Sequence, residues 1–317
     1  MTKHLVMGGG GFLGRHLARA LAARGDQVVV VDVAATTSFD NLVQSYVLDM
    51  SNAQAADYDK LVEDMDVVHH CAWSTIPESA NKDPASDLRV NLGMTLGVLD
   101  ALKRRGGGRI VFCSSGGTVY GPLTKTPVSE DHPLDPITAY GVSKLAAEKY
   151  LQLYRTLHGV DARIARIANP YGAGQNPKKP QGVVGTVVRR ALARQVIEVW
   201  GDGSLVRDFI HIGDVVAALL ALCDFAAEPQ APIPLFNFGS GVGCTVNTVL
   251  AHVESAVGEP LKILRLPGRA FDVPASILDI QRAKRVLDWA PRIKLVEGIA
   301  QMATDLREDR ERLFSSL

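Results

Sequence analysis

Tyr140 and Lys144 stand four residues apart in Tyr-Gly-Val-Ser-Lys, which puts a phenol and an ammonium on one face of a helix. A nearby ammonium favours the phenolate, so the pair can take a proton from a hydroxyl group. The spacing is common by chance and usually marks a solvated helix face. Its weight here comes from what precedes it in the chain: a glycine-rich turn, an acidic residue closing a second strand, and the serine-rich strand end Ser114-Ser115.

The turn consists of Gly8, Gly11 and Gly14, with Phe12 and Leu13 inside it, directly after a first strand and at the start of a helix. Glycines at this spacing allow a tight turn, bring backbone N–H groups to a pyrophosphate, and let the helix N-terminus favour the anion. Asp32 closes the second strand, where a carboxylate accepts both hydroxyls of an adenosine ribose and repels a 2′-phosphate. Val33-Ala34-Ala35 offers no compensating arginine, so NAD is expected rather than NADP. The plain alternative for Asp32 is a turn residue. Asp49-Met50, after Tyr46–Leu48, either borders the adenine or forms a surface turn.

The elements that must hold these residues alternate between strand-length apolar runs and longer helical stretches, which predicts βαβ units and a parallel sheet. Strands are expected at His4–Met7, Val28–Val31, Val67–His70, Arg109–Cys113 and Arg163–Ile167. Helices are expected at Phe12–Arg24, Ala53–Glu63, Pro84–Lys103 and Ile137–His158. The character changes after Asn169. Gly172–Gly185 is rich in Gly, Pro and Lys and is expected to be a long functional loop. Beyond it come helices Val187–Arg194, Val215–Cys223 and Val246–Val257 and strands Ile197–Trp200, Leu235–Phe238 and Leu261–Leu266. The expected fold is α/β: a Rossmann-type doubly wound parallel sheet over residues 1–170, with a smaller mixed α/β substrate lobe over 171–317. The chain is expected to re-enter the first domain near 209–240.

With 317 residues the chain can bury a large core. Its 34 basic and 34 acidic residues leave no net charge, which argues against nucleic acid or an acidic membrane as a partner. Cys71, Cys113, Cys223 and Cys244 are widely spaced with no CxxC pair, so they read as core residues of a reducing compartment; no metal is expected. No apolar run reaches transmembrane length, and the first residues enter a strand at once; a cytoplasmic protein without a signal peptide is expected.

Taken together the motifs resemble those of the nucleotide-sugar epimerases of the extended short-chain dehydrogenase/reductase family, of the UDP-glucose/UDP-galactose 4-epimerase kind. The resemblance spans essentially the whole chain, through Gly8–Gly14, Asp32, His70-Cys71-Ala72, Asn91, Ser114–Gly121, Tyr140–Lys144, Asn169–Gly172, Gly201–His211 and Arg269–Pro274. It implies Tyr140 as base, Lys144 on the nicotinamide ribose, Ala72 beside the cofactor and Asn91 as a strut. One departure stands out. The family's catalytic Ser or Thr lies three places before Val-Tyr-Gly, and here that place is Gly116. Ser115 is inferred to replace it, with Thr118 as the second candidate; Ser114 and Ser115 could instead satisfy backbone groups. The family's dehydratases carry Asp-Glu just before Val-Tyr-Gly, and its decarboxylases a Glu. Gly117-Thr118 has neither, which leaves oxidation and re-reduction at one carbon.

The resemblance further implies Arg207, Arg269 and Asn169 at a nucleoside diphosphate, Asp272 on its ribose and Trp200 near its base. Arg207 could instead pair with Asp208 or Asp214, and Trp200 could be plain core. Ser276 falls where a tyrosine restricts the pocket to plain hexoses and a small residue admits an N-acetyl group; its alternative is a helix cap near Asp279. The helices Pro84–Lys103 and Ile137–His158 resemble a dimer interface, unless their apolar residues all face the sheet. The expectation is an NAD-dependent 4-epimerase of a UDP-hexose or UDP-N-acetylhexosamine, forming a homodimer. A 4-keto reductase or dehydrogenase and a non-catalytic NAD-binding protein compete with it.

Overall fold

The structure, a computed structural model, describes residues 1–35, 43–175, 182–228, 231–268 and 273–315, with side chains of the last helix described to 308. In chain order the first part runs β1 (Lys3–Met7), α1 (Phe12–Ala23), β2 (Gln27–Asp32), β3 (Val43–Val47), α2 (Ala55–Val62), β4 (Val67–His70), α3 (Pro77–Lys82), α4 (Pro84–Arg104), β5 (Arg109–Ser115), α5 (Ala139–His158) and β6 (Asp161–Ile167). The second part runs β7 (Asn169–Tyr171), α6 (Val183–Leu192), β8 (Ile197–Trp200), β9 (Val206–His211), α7 (Ile212–Asp224), β10 (Leu235–Phe238), β11 (Gly243–Thr245), α8 (Val246–Val257), β12 (Ile263–Leu266), β13 (Ala275–Ser276), α9 (Gln281–Leu287) and α10 (Leu295–Ser315).

Seven strands form one parallel sheet in the order β10-β6-β5-β4-β1-β2-β3. The winding reverses beside β1, which opens a crevice at the carboxyl ends of β1 and β4, the usual ligand position of such sheets. Alternate residues of β1 serve the two faces: Val6 joins the core that includes α1 and α7, and Leu5 and Met7 join the core that includes α2, α4 and α5. The smaller lobe is built on β9, flanked by β11, β13 and β7, with β8 and β12 paired apart and α6, α8 and α10 around a third core. The doubly wound sheet with a smaller mixed lobe is as expected. No helix of the described residues is long and apolar enough to cross a membrane.

Several boundaries and elements differ from expectation. The helix expected at 187–194 spans Val183–Leu192, so the end of the long 172–185 loop is already helical; residues 176–181 lie outside the described ones. The helix expected from Ile137 starts at Ala139, where Thr138 accepts a hydrogen bond from Gly141 N as N-cap. The strands β3, β7, β9, β11 and β13 have no counterpart among those expected from the sequence. They are short or largely polar, and pairing with neighbours rather than their own pattern makes them strands. The four cysteines are free thiols: Cys113 and Cys223 are buried, Cys71 and Cys244 half-buried.

Three histidines lie in the sheet. His4 stacks on His69 with Nδ1 and Nε2 3.0 Å apart, and His70 Nε2 meets Thr95 Oγ1 at 3.0 Å. Burial pushes His69 and His70 down to about 3. Both therefore stay neutral in the fold while the unfolded chain protonates them below about 6.5. The unfolded state then binds more protons, so stability present above pH 6.5 is lost as pH falls toward 3, on the order of a few kcal/mol per ring. Denaturant midpoints measured from pH 7 to 4 should fall steeply, and His69→Gln should flatten part of that slope.

Candidate active site

The crevice begins at the glycine turn. Gly8 has φ +78°, and a β-carbon there would lie 2.7 Å from the Ala72 backbone beyond β4. At Gly14 it would lie 2.2 Å from the Gly8 carbonyl oxygen. No side chain fits at either place, so β1, α1 and the segment after β4 approach closely. Gly11 caps α1 without any side-chain bond, which leaves the helix N-terminal N–H groups at Phe12 and Leu13 turned to the crevice. Asp32 closes β2 and holds the turn, accepting from Gly10 N at 2.9 Å and Val33 N at 2.8 Å. The residues fit NAD: a cradle without side chains for the pyrophosphate and a carboxylate beside it for the ribose hydroxyls. Asp49 forms an exposed turn, accepting from Ser51 and Asn52, with Met50 buried behind it; those bonds hold its carboxyl below the usual range.

Tyr140 and Lys144 sit on the first turns of α5. Lys144 is buried, donates to the Cys113 carbonyl at 2.7 Å, and lies 3.7 Å from the ring centre of Trp73 and 4.7 Å from that of Phe112. Burial lowers Lys144 to about 7, against the opposing pull of Cys113, Cys71, Glu148 and Asp87. The expectation that a nearby lysine favours the phenolate needs correction for the unliganded site. Nζ lies 5.8 Å from the Tyr140 ring centre, and burial together with Asp87 and Cys113 pushes the phenol well above its usual value. Trp73, edge-on to Tyr140, carried no sequence signal beyond its aromatic type.

The serine-rich loop explains its own departure. A β-carbon at Gly116 would lie 2.5 Å from Leu278 Cδ1 and 3.2 Å from the Arg166 carbonyl, so Leu278 fills the space a serine would take. Ser114 is buried and bonded to Glu148, which also carries the Arg166 guanidinium at 2.6 Å. Ser115 is half-exposed at the strand end, and none of the described residues bonds its hydroxyl. Thr118 Oγ1 is buried without a partner among the described residues. Asn91 is fully buried as a strut, accepting from Ser74 N at 2.8 Å and Ser74 Oγ at 3.0 Å.

On the far side, Ser276 pairs with Arg207 across β13 and β9 and is buried. It lies in a strand, so the helix-cap alternative does not hold; Asp279 accepts from Gln281 N at the start of α9. Arg207 donates to the carbonyls of Val206 and Val273, while Asp208 accepts from Ser240, Gly241 and Leu278, and Asp214 from Arg292 and Ile293. Asn169 Nδ2 donates to the Asp208 carbonyl at 2.9 Å. Trp200 ends β8 at 39% exposure, outside the core. Arg269 and Asp272 lie outside the described residues.

The chain is similar to known proteins in both sequence and fold. The sequence pattern of the NAD dependent epimerase/dehydratase family matches residues 4–237. The UDP-glucose 4-epimerase of Mycolicibacterium smegmatis is 34% identical over 304 residues, covering 94% of this chain and 96% of that protein. The crystal structure of UDP-glucose 4-epimerase from Thermotoga maritima with UDP-glucose is 29% identical, superposes with a TM-score of 0.91, and covers 97% of this chain and 99% of that one. The Thermus thermophilus UDP-glucose 4-epimerase in complex with NAD is 30% identical with a TM-score of 0.87, covering 96% and 99%. With the glycine turn, Asp32 and the Tyr140–Lys144 pair around one crevice, this chain belongs to the NAD-dependent epimerase/dehydratase family of nucleotide-sugar enzymes.

Proposed function

We propose that this enzyme inverts the C4 hydroxyl of a UDP-hexose or UDP-N-acetylhexosamine by way of a 4-keto sugar. The observation that carries this reading is the composition of the site. It has one phenol–ammonium pair, one available strand-end hydroxyl at Ser115, and Gly117-Thr118 where a dehydratase or decarboxylase would need a carboxylate. The UDP-glucose bound by the Thermotoga maritima protein supports uridine diphosphate as the carrier. When bound, NAD supplies the hydride acceptor and, on return, the donor. Tyr140 takes the proton of the C4 hydroxyl and gives it back, and Ser115 steadies the same oxygen. Lys144, held by the Cys113 carbonyl, binds the cofactor ribose. Arg207, Arg269 and Asn169 meet the diphosphate, Asp272 its ribose, and Trp200 its base.

A homodimer belongs to the same proposal. α4 and α5 pack together yet leave Leu88, Val142, Leu153 and Leu157 exposed, an apolar face suited to a second copy of the helix pair.

Tyr140→Phe should lower turnover by several orders of magnitude while NAD stays bound, because only the proton acceptor is lost; a variant keeping most of its rate would remove Tyr140 from this role. Ser115→Ala should cost far more kcat than Ser114→Ala at equal thermal stability, since Ser114 is committed to Glu148. Equal small losses would direct attention to Thr118. Incubation with UDP-glucose, UDP-galactose and their N-acetylated counterparts, with the epimers resolved, tests the reaction itself. Ser276→Tyr should end turnover of the acetylated pair and spare the plain pair; equal loss on both shows that Ser276 does not set pocket size.

A further inference from the structure

Asp87 on α4 is fully buried, and among the described residues no cation is hydrogen-bonded or paired to it. Its partners are neutral donors from three elements. Thr75 Oγ1 donates from the segment after β4, Ser143 Oγ from α5, and Asn91 Nδ2 from its own helix at 2.9 Å. Oδ1 takes Thr75 and Asn91, and Oδ2 takes Ser143. A buried carboxylate without a direct counter-ion is costly, and a neutral acceptor would cost less. An asparagine at this place offers one acceptor oxygen where three donors converge, so it cannot keep all three bonds.

The partners share a location. Ser143 lies between Tyr140 and Lys144 on α5, three residues after one and next to the other. Thr75 is two residues beyond Trp73, whose ring covers the Lys144 ammonium. Asn91 holds Ser74 between them, and through its own carbonyl and Thr95 it reaches His70 on β4. One carboxylate therefore joins the helix that carries the phenol–ammonium pair to the loop that roofs the ammonium.

We propose that Asp87 is the positioning residue of the Tyr140–Lys144 pair: its carboxylate fixes the rotation of α5 through Ser143 and places a negative charge behind both groups. The second part of this role rests on the reading of Tyr140 as base. The charge acts on each group in a known direction. It favours the ammonium of Lys144, opposing the burial that lowers it, and it disfavours the phenolate of Tyr140. The other ionisable groups around the pair are Cys113 on β5, Cys71 and His70 at the end of β4, and Glu148 on α5; all are unchanged by substitution at Asp87.

Asp87→Asn removes the charge with little change in volume. Two readouts are taken on NAD-loaded enzyme. The first needs no substrate: the 13Cε signal of Lys144, assigned with Lys144→Met, is followed by NMR against pH in wild type, Asp87→Asn and Ser143→Ala. The Asp87→Asn midpoint should lie clearly below that of the wild type, and the Ser143→Ala midpoint with the wild type, because that variant keeps the charge. The second is the pH profile of UDP-galactose to UDP-glucose conversion. Asp87→Asn should lose at least tenfold in kcat with little change in KM, and its whole profile should move to lower pH. Ser143→Ala should lose severalfold in kcat with the profile in place. A lower rate with both the midpoint and the profile unmoved would reduce Asp87 to a structural fastener and overturn the proposal. If Asp87→Asn does not fold, Ser143→Ala and Thr75→Val decide: wild-type kcat in both overturns it. A shifted Lys144 midpoint in an enzyme that converts no UDP-sugar would sink the proposed reaction and still support the placement of Asp87 behind Lys144.

Discussion

An ammonium group with 4% exposure cannot be hydrated from outside, so the protein itself must stabilise its charge. Around Lys144 that constraint has organised much of the sheet's carboxyl edge. The β5 strand gives up the Cys113 carbonyl to it, Trp73 and Phe112 offer ring faces, and Asp87 stands behind at the price of its own burial. Three elements contribute: β5 gives Cys113 and Phe112, the segment after β4 gives Trp73, and α4 gives Asp87. The relative placement of β4, β5, α4 and α5 is thus tied to one side chain on one helix.

A second buried polar system lies on the other side of the strand end. Arg166 on β6 is bonded to Glu148 on α5 and to Tyr120, whose hydroxyl reaches Asn237 on β10. A buried ion pair of this kind survives only when its remaining bonds are made, and here Ser114 supplies one of them. The consequence is a division of labour between neighbours. Ser114 is held inside the protein, and Ser115, one residue on and facing the opposite way along the strand, is only partly buried. Leu278 completes the arrangement by filling the place where Gly116 has no side chain.

The glycines of the turn act by what they permit. Where β1 meets the segment after β4, backbone atoms lie closer than any β-carbon would allow, and that proximity leaves room for a pyrophosphate against α1. Asp32, at the end of β2, is bonded to the same turn through Gly10 N.

What the sequence alone determined is what depends on local pattern. The period of apolar residues set six of the seven strands of the large sheet, all but β3, and the long helices beside them. Glycine spacing set the turn after β1, and four-residue spacing put Tyr140 and Lys144 on one helical face. Asp87, Asn91 and Thr95 recur at four-residue spacing on the buried side of α4, but nothing local says which helix they face. The tertiary structure decided whatever depends on residues far apart in the chain. Leu278 against Gly116 leaves no space for a side chain there, and Glu148 holds Ser114 inside the protein. β13 makes Ser276 a buried strand residue rather than a helix cap, and burial beside Asp87 pushes the Tyr140 phenol up in the unliganded site. Charge and space at a site are sums over all the elements that meet there, and a linear spacing records only one of them.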